Sequence, residues 1–254
     1  MKVLFTSDWH VDAVTFGLSR LDELDEYWWH LHNVILAERV DLVVVAGDFF
    51  DPGSMLHAHY EVVVGSAFQM LASATTFGKI FAIAGNHDVL ETNRPLSTVT
   101  PICRFAEFAS VYDSPAFKML ADERGDVGFL LLPYFSRTWA DAELGGAARG
   151  PMRLIDEAIA DAQRHPNARI VVVGHMTVPG AMIGSESVEM SRGRELDLPA
   201  ERIRGLNPRL VVNGHYHRPQ VVTVDGLEVV IPGSPLSFTT DDPSDDKGYV
   251  LVEL

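Results

Sequence analysis

Five short apolar runs in this 254-residue chain each end in a small residue, followed at once by side chains able to bind metal. Val3–Thr6 and Ser7 lead into Asp8-Trp9-His10, and Leu42–Ala46 and Gly47 lead into Asp48. Phe81–Ala84 and Gly85 lead into Asn86-His87-Asp88. Ile170–Val173 and Gly174 lead into His175, and Leu210–Asn213 and Gly214 lead into His215-Tyr216-His217. Short runs rich in β-branched residues read as strands. In a largely parallel sheet the carboxyl ends of the strands share one edge, where the crevice for ligands forms. The pattern therefore gathers five places, far apart in the chain, onto one rim. Glycine at such strand ends lets the backbone turn sharply and lets a ligand approach.

Between the early strands lie helical patterns. Leu18, Leu21, Leu24, Trp28, Leu31 and Ile35 recur every three or four residues, the apolar stripe of a helix packed on a sheet. Residues His57–Thr76, Leu96–Phe108 and Met152–Arg164 also read as helices, the last opening after Gly150-Pro151 and closing before Pro166. Further strands are expected at Val127–Leu132, Val221–Val224, Leu227–Ile231 and Tyr249–Val252, with Asp225-Gly226 as a hairpin signal. Strand, helix, strand repetition implies parallel pairing. The expected architecture is a mixed sheet, or two stacked sheets, with helices outside. With 47% apolar residues, no internal repeat and no linker, residues 1–254 are expected to form a single domain. The stretch Thr177–Glu195 lacks periodicity and reads as a long surface loop.

Composition removes several function classes. No stretch approaches the roughly 18 uninterrupted apolar residues of a membrane span. Met1–Ser7 runs straight into a strand pattern, so no signal peptide is expected. A single cysteine, Cys103, excludes an internal disulfide and suits a reducing, cytoplasmic interior. A formal charge of −15 argues against a broad nucleic-acid grip, because phosphate contacts need local lysine and arginine, yet it leaves room for a local one. Part of the acidity is the run Asp241-Asp242-Pro243-Ser244-Asp245-Asp246, read as a solvated turn.

The donor set on the rim defines the chemistry. Asp8, His10, Asp48, Asn86, His175, His215 and His217 offer oxygen and imidazole nitrogen but no sulfur, which favours manganese, iron or zinc over copper(I). Seven ligands with one bridging carboxylate give each of two metals about four protein bonds, leaving positions for a shared hydroxide and substrate oxygens. Asp8 and Asp48 undercompensate two divalent ions, and the residual positive field suits a phosphate. A metal pair roughly 3.5–4 Å apart activates water and stabilises an in-line displacement.

Asp8-x-His10, Gly47-Asp48, Gly85-Asn86-His87-Asp88, Gly174-His175 and Gly214-His215-x-His217 resemble the signature of the calcineurin-like metallophosphoesterases, in that family's order. The resemblance implies an αββα sandwich of two mixed β-sheets flanked by helices. It implies that Asp8, His10, Asp48 and His217 hold one metal, and Asp48, Asn86, His175 and His215 the other. His87 would face the scissile phosphate and protonate or stabilise the leaving oxygen, a role for which imidazole is well suited. Asp88 and Asp51 are expected to orient imidazoles without touching metal.

A narrower likeness, to the SbcD-type DNA repair nucleases, rests on Thr6–His10, Val45–Asp51, Ala84–Asp88, Gly174–Ala181 and Pro232–Phe238. It implies a manganese-dependent exo- and endonuclease working with an SMC-like ATPase. The chain ends at Leu254, about where such a phosphoesterase domain ends, so the DNA-capping domain and ATPase-binding segment are expected to be absent. DNA ends and single strands are then the expected substrates. Cyclic nucleotides or phosphomonoesters are the alternative, which the acidic surface favours. A metal-poor scaffold that only binds protein partners would have lost ligands, and none of the seven is lost. Outside the rim, His30, His32, His57, His59 and His165 read as helix-surface residues, and Trp28 and Trp29 as core and rim. Tyr216 is a candidate crevice residue, and Arg94, Arg137, Arg192 and Arg194 are candidate phosphate contacts.

Overall fold

The computed structural model describes residues 1–51, 58–90, 96–97, 108–135, 151–183, 195–238 and 247–254. Its strands begin with β1 (Lys2–Thr6), the short pair β2 (Val14–Thr15) and β3 (Leu18–Ser19), β4 (Leu42–Val45) and β5 (Ile80–Ile83). A second short pair follows, β6 (Val89–Leu90) and β7 (Leu96–Ser97), then β8 (Ala109–Tyr112), β9 (Ala116–Leu120) and β10 (Val127–Leu132). The series closes with β11 (Arg169–Gly174), β12 (Leu210–Asn213), β13 (Gln220–Val224), β14 (Leu227–Ile231) and β15 (Val250–Glu253). Helices are α1 (Leu21–Glu38), α2 (Ala58–Ala74), α3 (Pro151–Gln163) and the short α4 (Ala200–Arg204).

Two large sheets result. The first has the order β15-β1-β4-β5-β8, parallel except where β15 runs against β1. The second has the order β13-β14-β12-β11-β10-β9, parallel at its centre and antiparallel at both margins. Side chains alternate across each sheet because a strand points successive residues to opposite faces. Leu4, Val43, Val45, Ile80 and Ala82 turn outward onto Leu24, Trp28, Leu31 and Ile35 of α1 and onto Val64, Phe68 and Leu71 of α2. Leu130, Leu132, Ile170, Val172 and Val211 turn outward onto Ile155 and Ile159 of α3 and Ile203 of α4. The inward rows, Val3, Phe5, Leu42, Val44, Phe81 and Ile83 against Phe129, Leu131, Val171, Val173 and Val212, fuse into one apolar layer between the sheets. Helices on both outer faces complete the αββα sandwich. Both faces of each central strand are covered, which is why these strands read as unbroken apolar runs.

The expected elements shift in three places. Leu18 does not belong to the first helix: it lies in β3 and is 71% exposed, and the apolar stripe begins at the half-buried Leu21. The helix expected at Leu96–Phe108 is corrected at its start, where Leu96–Ser97 pairs with Val89–Leu90 as a strand. Residues 98–107 of the span lie outside the described residues, as do His57, Cys103, the four candidate arginines and the acidic run Asp241–Asp246. β8 and β9 are strands that periodicity did not suggest. No described helix is long and apolar enough to cross a membrane.

The sandwich rests on its middle layer, where Phe81 and Phe129 meet edge to face at 5.5 Å between ring centres. Phe129→Ala is expected to lower unfolding free energy by about 3–5 kcal/mol, with the denaturant slope unchanged. Phe16→Ala, at a side chain 84% exposed, should change it by less than about 0.5 kcal/mol. Urea titrations followed by circular dichroism check both, and equal losses would contradict the layer described.

Candidate metal centre

The parallel pairing of β1 and β4 continues past the strand ends. Asp8 N–H donates to Gly47 O at 2.9 Å, His10 N–H to Asp48 O at 3.2 Å and Val11 N–H to Phe49 O at 2.8 Å. Trp9 anchors this loop: it is fully buried among Trp28, Phe49 and Phe68, and its indole N–H donates to the Thr6 hydroxyl at 3.0 Å. With Trp9 committed to the helix-facing core, Asp8 and His10 on either side are turned to the rim. Asp8, His10, Asp48 and His215 all take left-handed backbone, with φ of 55°, 45°, 52° and 79°. Asp, Asn and His tolerate that region better than most side chains, but it still costs roughly 1–3 kcal/mol per residue and persists only where the surroundings enforce it. Gly47 precedes Asp48 at φ 92°. At Gly85 a Cβ would collide with Asp48 Oδ1 and the Asp48 backbone nitrogen, so only glycine lets the β4 and β5 loops close on each other.

Hydrogen bonds to one ring nitrogen decide what the other can do. His10 Nδ1 donates to Phe50 O at 2.9 Å, so Nε2 carries the free lone pair, and it lies 3.0 Å from His217 Nε2. His175 Nδ1 donates to Ala46 O at 2.6 Å, and its Nε2 lies 3.0 Å from Asn86 Oδ1 and 3.3 Å from Asp48 Oδ2. Three groups of side chains could hold an ion, the ligand atoms within each lying within 4.8 Å of one another: Asp8, His10 and His217; His10, Asp48 and His87; and Asp48, His175 and His215. All seven residues expected on the rim thus converge, and His87 joins them. The His87 backbone N–H donates to Asp48 Oδ1 at 2.9 Å, its ring lies 5.0 Å from that of His10, and its buried Nδ1 has no hydrogen-bond partner among the described residues.

The electrostatics follow from burial opposed by close charge. Burial, against the pull of Asp48, lowers His10 to about 3, and burial with the neighbouring His10 lowers His217 well below its ordinary value. Both rings are neutral at neutral pH, and neutral imidazole is the form that binds metal. Burial alone would raise Asp48, but His175, His87 and His10 outweigh it and hold the carboxyl well below the usual range. Burial likewise opposes protonation of His175, yet Asp48 wins and lifts it to about 9. Asp88 is pushed up to about 8 by burial and by Asp48. Its oxygens accept from Phe49 N at 3.0 Å, Phe50 N at 3.3 Å and Gly85 N at 2.8 Å, which fastens the β4 loop to the β5 loop. Asp51 lies at the edge, 3.7 Å from His10 Nδ1, and burial raises it to about 6.

Sequence reasoning missed two neighbours of this cluster. Glu195, at the end of the stretch read as a surface loop, is buried with Oε2 2.9 Å from His215 Nε2. Phe238 sets its ring edge-on to His10 and His217, at 5.1 and 5.4 Å. Neither carries a local signal, although Phe238 lies in a segment that the narrower likeness includes. Tyr216 is a structural residue: it is buried, and its hydroxyl bonds both the N–H and the carbonyl of Val178, at 3.0 and 3.2 Å. Trp28 is core and Trp29 is exposed, and His30, His59 and His165 lie on the surface.

Known proteins are similar to this chain in sequence and in fold. Along all of this chain, the SbcD component of the SbcCD nuclease of Rhodobacter capsulatus is 27% identical over 278 residues, and that of Bacillus subtilis is 25% identical over 270. The SbcD component of Escherichia coli K12 is 27% identical over 269 residues, covering 99% of this chain. The chain spans 64–66% of the length of these relatives. Among solved structures, GAP50, the anchor in the inner membrane complex of Plasmodium, superposes with a TM-score of 0.56 at 14% identity, over 99% of this chain and 80% of that one. The phosphopantetheinyl hydrolase of Mycobacterium tuberculosis superposes with a TM-score of 0.50 at 14% identity, over 98% and 95%. At such identities these two bear on the fold alone. The calcineurin-like phosphoesterase family model matches residues 1–219, which takes in both sheets' central strands and every residue on the rim. This chain belongs to the calcineurin-like phosphoesterase family and is a metal-dependent phosphoesterase.

Proposed function

We propose that the chain cleaves phosphodiester bonds of DNA with two divalent transition-metal ions, manganese foremost, and prefers single strands and open ends. The observation that carries the two-metal reading is the place of Asp48. It belongs to two of the three candidate groups, with His10 and His87 on one side and His175 and His215 on the other. Asp8, His10, Asp48 and His217 would hold one ion, and Asp48, Asn86, His175 and His215 the second. The donor set fits: the His10 and His175 Nδ1 atoms are occupied by backbone carbonyls, and the Nε2 atoms face the other donors. Bound there, two such ions supply Lewis acidity and an activated water. The protein's own part is to hold these donors rigidly and to keep His87 beside them. Fixed to Asp48 through its backbone N–H, with an uncommitted ring nitrogen, His87 can pass a proton to the leaving oxygen.

The DNA substrate is supported by kinship with the SbcD components of SbcCD nucleases. Cytoplasmic residence goes with that substrate. These relatives extend beyond the matched region, so duplex processing with an ATPase partner stands outside the proposal.

Three outcomes are expected. Elemental analysis of the purified protein should find two metals per chain, and Asp48→Gly, which accepts left-handed backbone without strain, should lose both. Stoichiometric metal in that variant would remove Asp48 as the bridge. His87→Ala should retain both metals yet lose turnover on DNA by roughly 10²–10⁴-fold, with a smaller loss on p-nitrophenyl esters, whose leaving group needs no proton. Equal losses on the two would make His87 a phosphate-positioning group instead. Manganese-loaded protein should degrade single-stranded DNA faster than internal duplex, with a shallow salt slope corresponding to about two or three phosphate contacts. Efficient hydrolysis of a cyclic nucleotide with single-stranded DNA left intact would replace the nuclease reading with the small-substrate one.

A further inference from the structure

Glu195, 8% exposed, is a buried carboxylate beside the rim that neither proposed ligand set uses. Its segment is pinned in place. Thr177 bridges Asp197 in parallel, its N–H donates to Leu196 O at 3.2 Å, and Leu198 N–H donates back to Thr177 O at 2.8 Å. The Thr177 hydroxyl donates to Glu195 Oε2 at 2.8 Å, and the same oxygen lies 2.9 Å from His215 Nε2. An ionised carboxylate only accepts, so the proton of the His215 ring sits on Nε2. The lone pair is then on Nδ1, the nitrogen left for the group that His215 forms with Asp48 and His175. Glu195 stands outside that group and acts on it through the ring. At the other end the His215 backbone N–H donates to Asp8 Oδ1 at 3.1 Å, and the backbone takes the left-handed φ of 79°. Main chain and ring are therefore both fixed.

We propose that Glu195 is a positioning residue for the second metal: by accepting the His215 Nε2 proton it fixes the ring's tautomer and orientation, so that Nδ1 is the ligand atom. A carboxylate behind a metal-binding imidazole raises the ligand's basicity as well as orienting it, and removing such a partner typically costs 10–100-fold in metal affinity. Thr177 sets the carboxylate through its hydroxyl. The inference rests on the two-metal reading and is independent of whether the substrate is DNA.

The test uses the full chain, with ¹⁵N-labelled histidine, loaded with ¹¹³Cd²⁺. Wild-type protein should show cadmium coupling to His215 Nδ1 and a slowly exchanging Nε2 proton, assigned by their loss in His215→Asn. Titration with Mn²⁺ should give two sites in the wild type. In Glu195→Ala one site should weaken 10–100-fold while the other keeps its affinity. Glu195→Gln, which keeps an acceptor oxygen of the same shape, should weaken the same site less, and it serves as the test if the alanine variant does not fold. A role in folding alone would lower the melting temperature and leave both manganese affinities unchanged. That result, or cadmium coupling to His215 Nε2 in the wild type, overturns the assignment. A wild-type protein that binds neither metal would instead overturn the two-metal reading itself.

Discussion

The rim exists because two sheets are held face to face by one apolar layer. Phe5, Phe81 and Phe129, with the valines and leucines around them, fix how far apart the sheets stand, and that spacing decides which strand ends meet. Asp8, His10, Asp48 and Asn86 come from loops of the first sheet, whereas His175, His215 and His217 come from the second. Three of the close approaches that define the cluster cross this seam: His10 to His217, His175 to Asn86 and His175 to Asp48. The hydrophobic effect, which has no directional preference of its own, thereby sets a polar geometry that does.

Loops alone would not hold that geometry. Four rim residues sit in left-handed backbone, a conformation that an isolated segment would leave, and what retains them is hydrogen bonding from loop to loop. Asp8 and His10 are tied to the β4 loop through main-chain bonds, and Asp88 ties that loop to the next. Buried polar groups are stabilising only when such partners are supplied, and here the partners are other site loops rather than solvent. The cluster is one connected unit, so positions that never touch substrate still govern it.

How much of this the chain discloses depends on whether the signal is local. The rim residues are legible because strand, small residue and donor follow one another within a few positions, and each group repeats the grammar. The central strands are legible in the same way, through runs that are apolar on both faces, but those runs leave one mixed sheet or two stacked sheets open, and it is the family resemblance that implies the sandwich. Glu195 is not legible, because its meaning lies in His215, twenty residues away, and a stretch without periodicity gives no hint of burial. Leu18 misleads for a related reason: it falls in helical phase with Leu21 and Leu24, but Phe16 and Gly17 at positive φ reverse the chain just before it.

The seam between the sheets has a consequence for how such a molecule can drift over evolutionary time. Its aromatic and aliphatic filling is free to change in identity, since cores accept volume-conserving exchanges at modest cost. It is not free to change in thickness, because half of the rim rides on each sheet and any swelling or collapse would be transmitted to the nitrogens and oxygens facing one another across it. Lineages should therefore conserve the summed volume of these fifteen buried side chains more tightly than any one of them, and compensating pairs, one on each sheet, are where that bookkeeping should show.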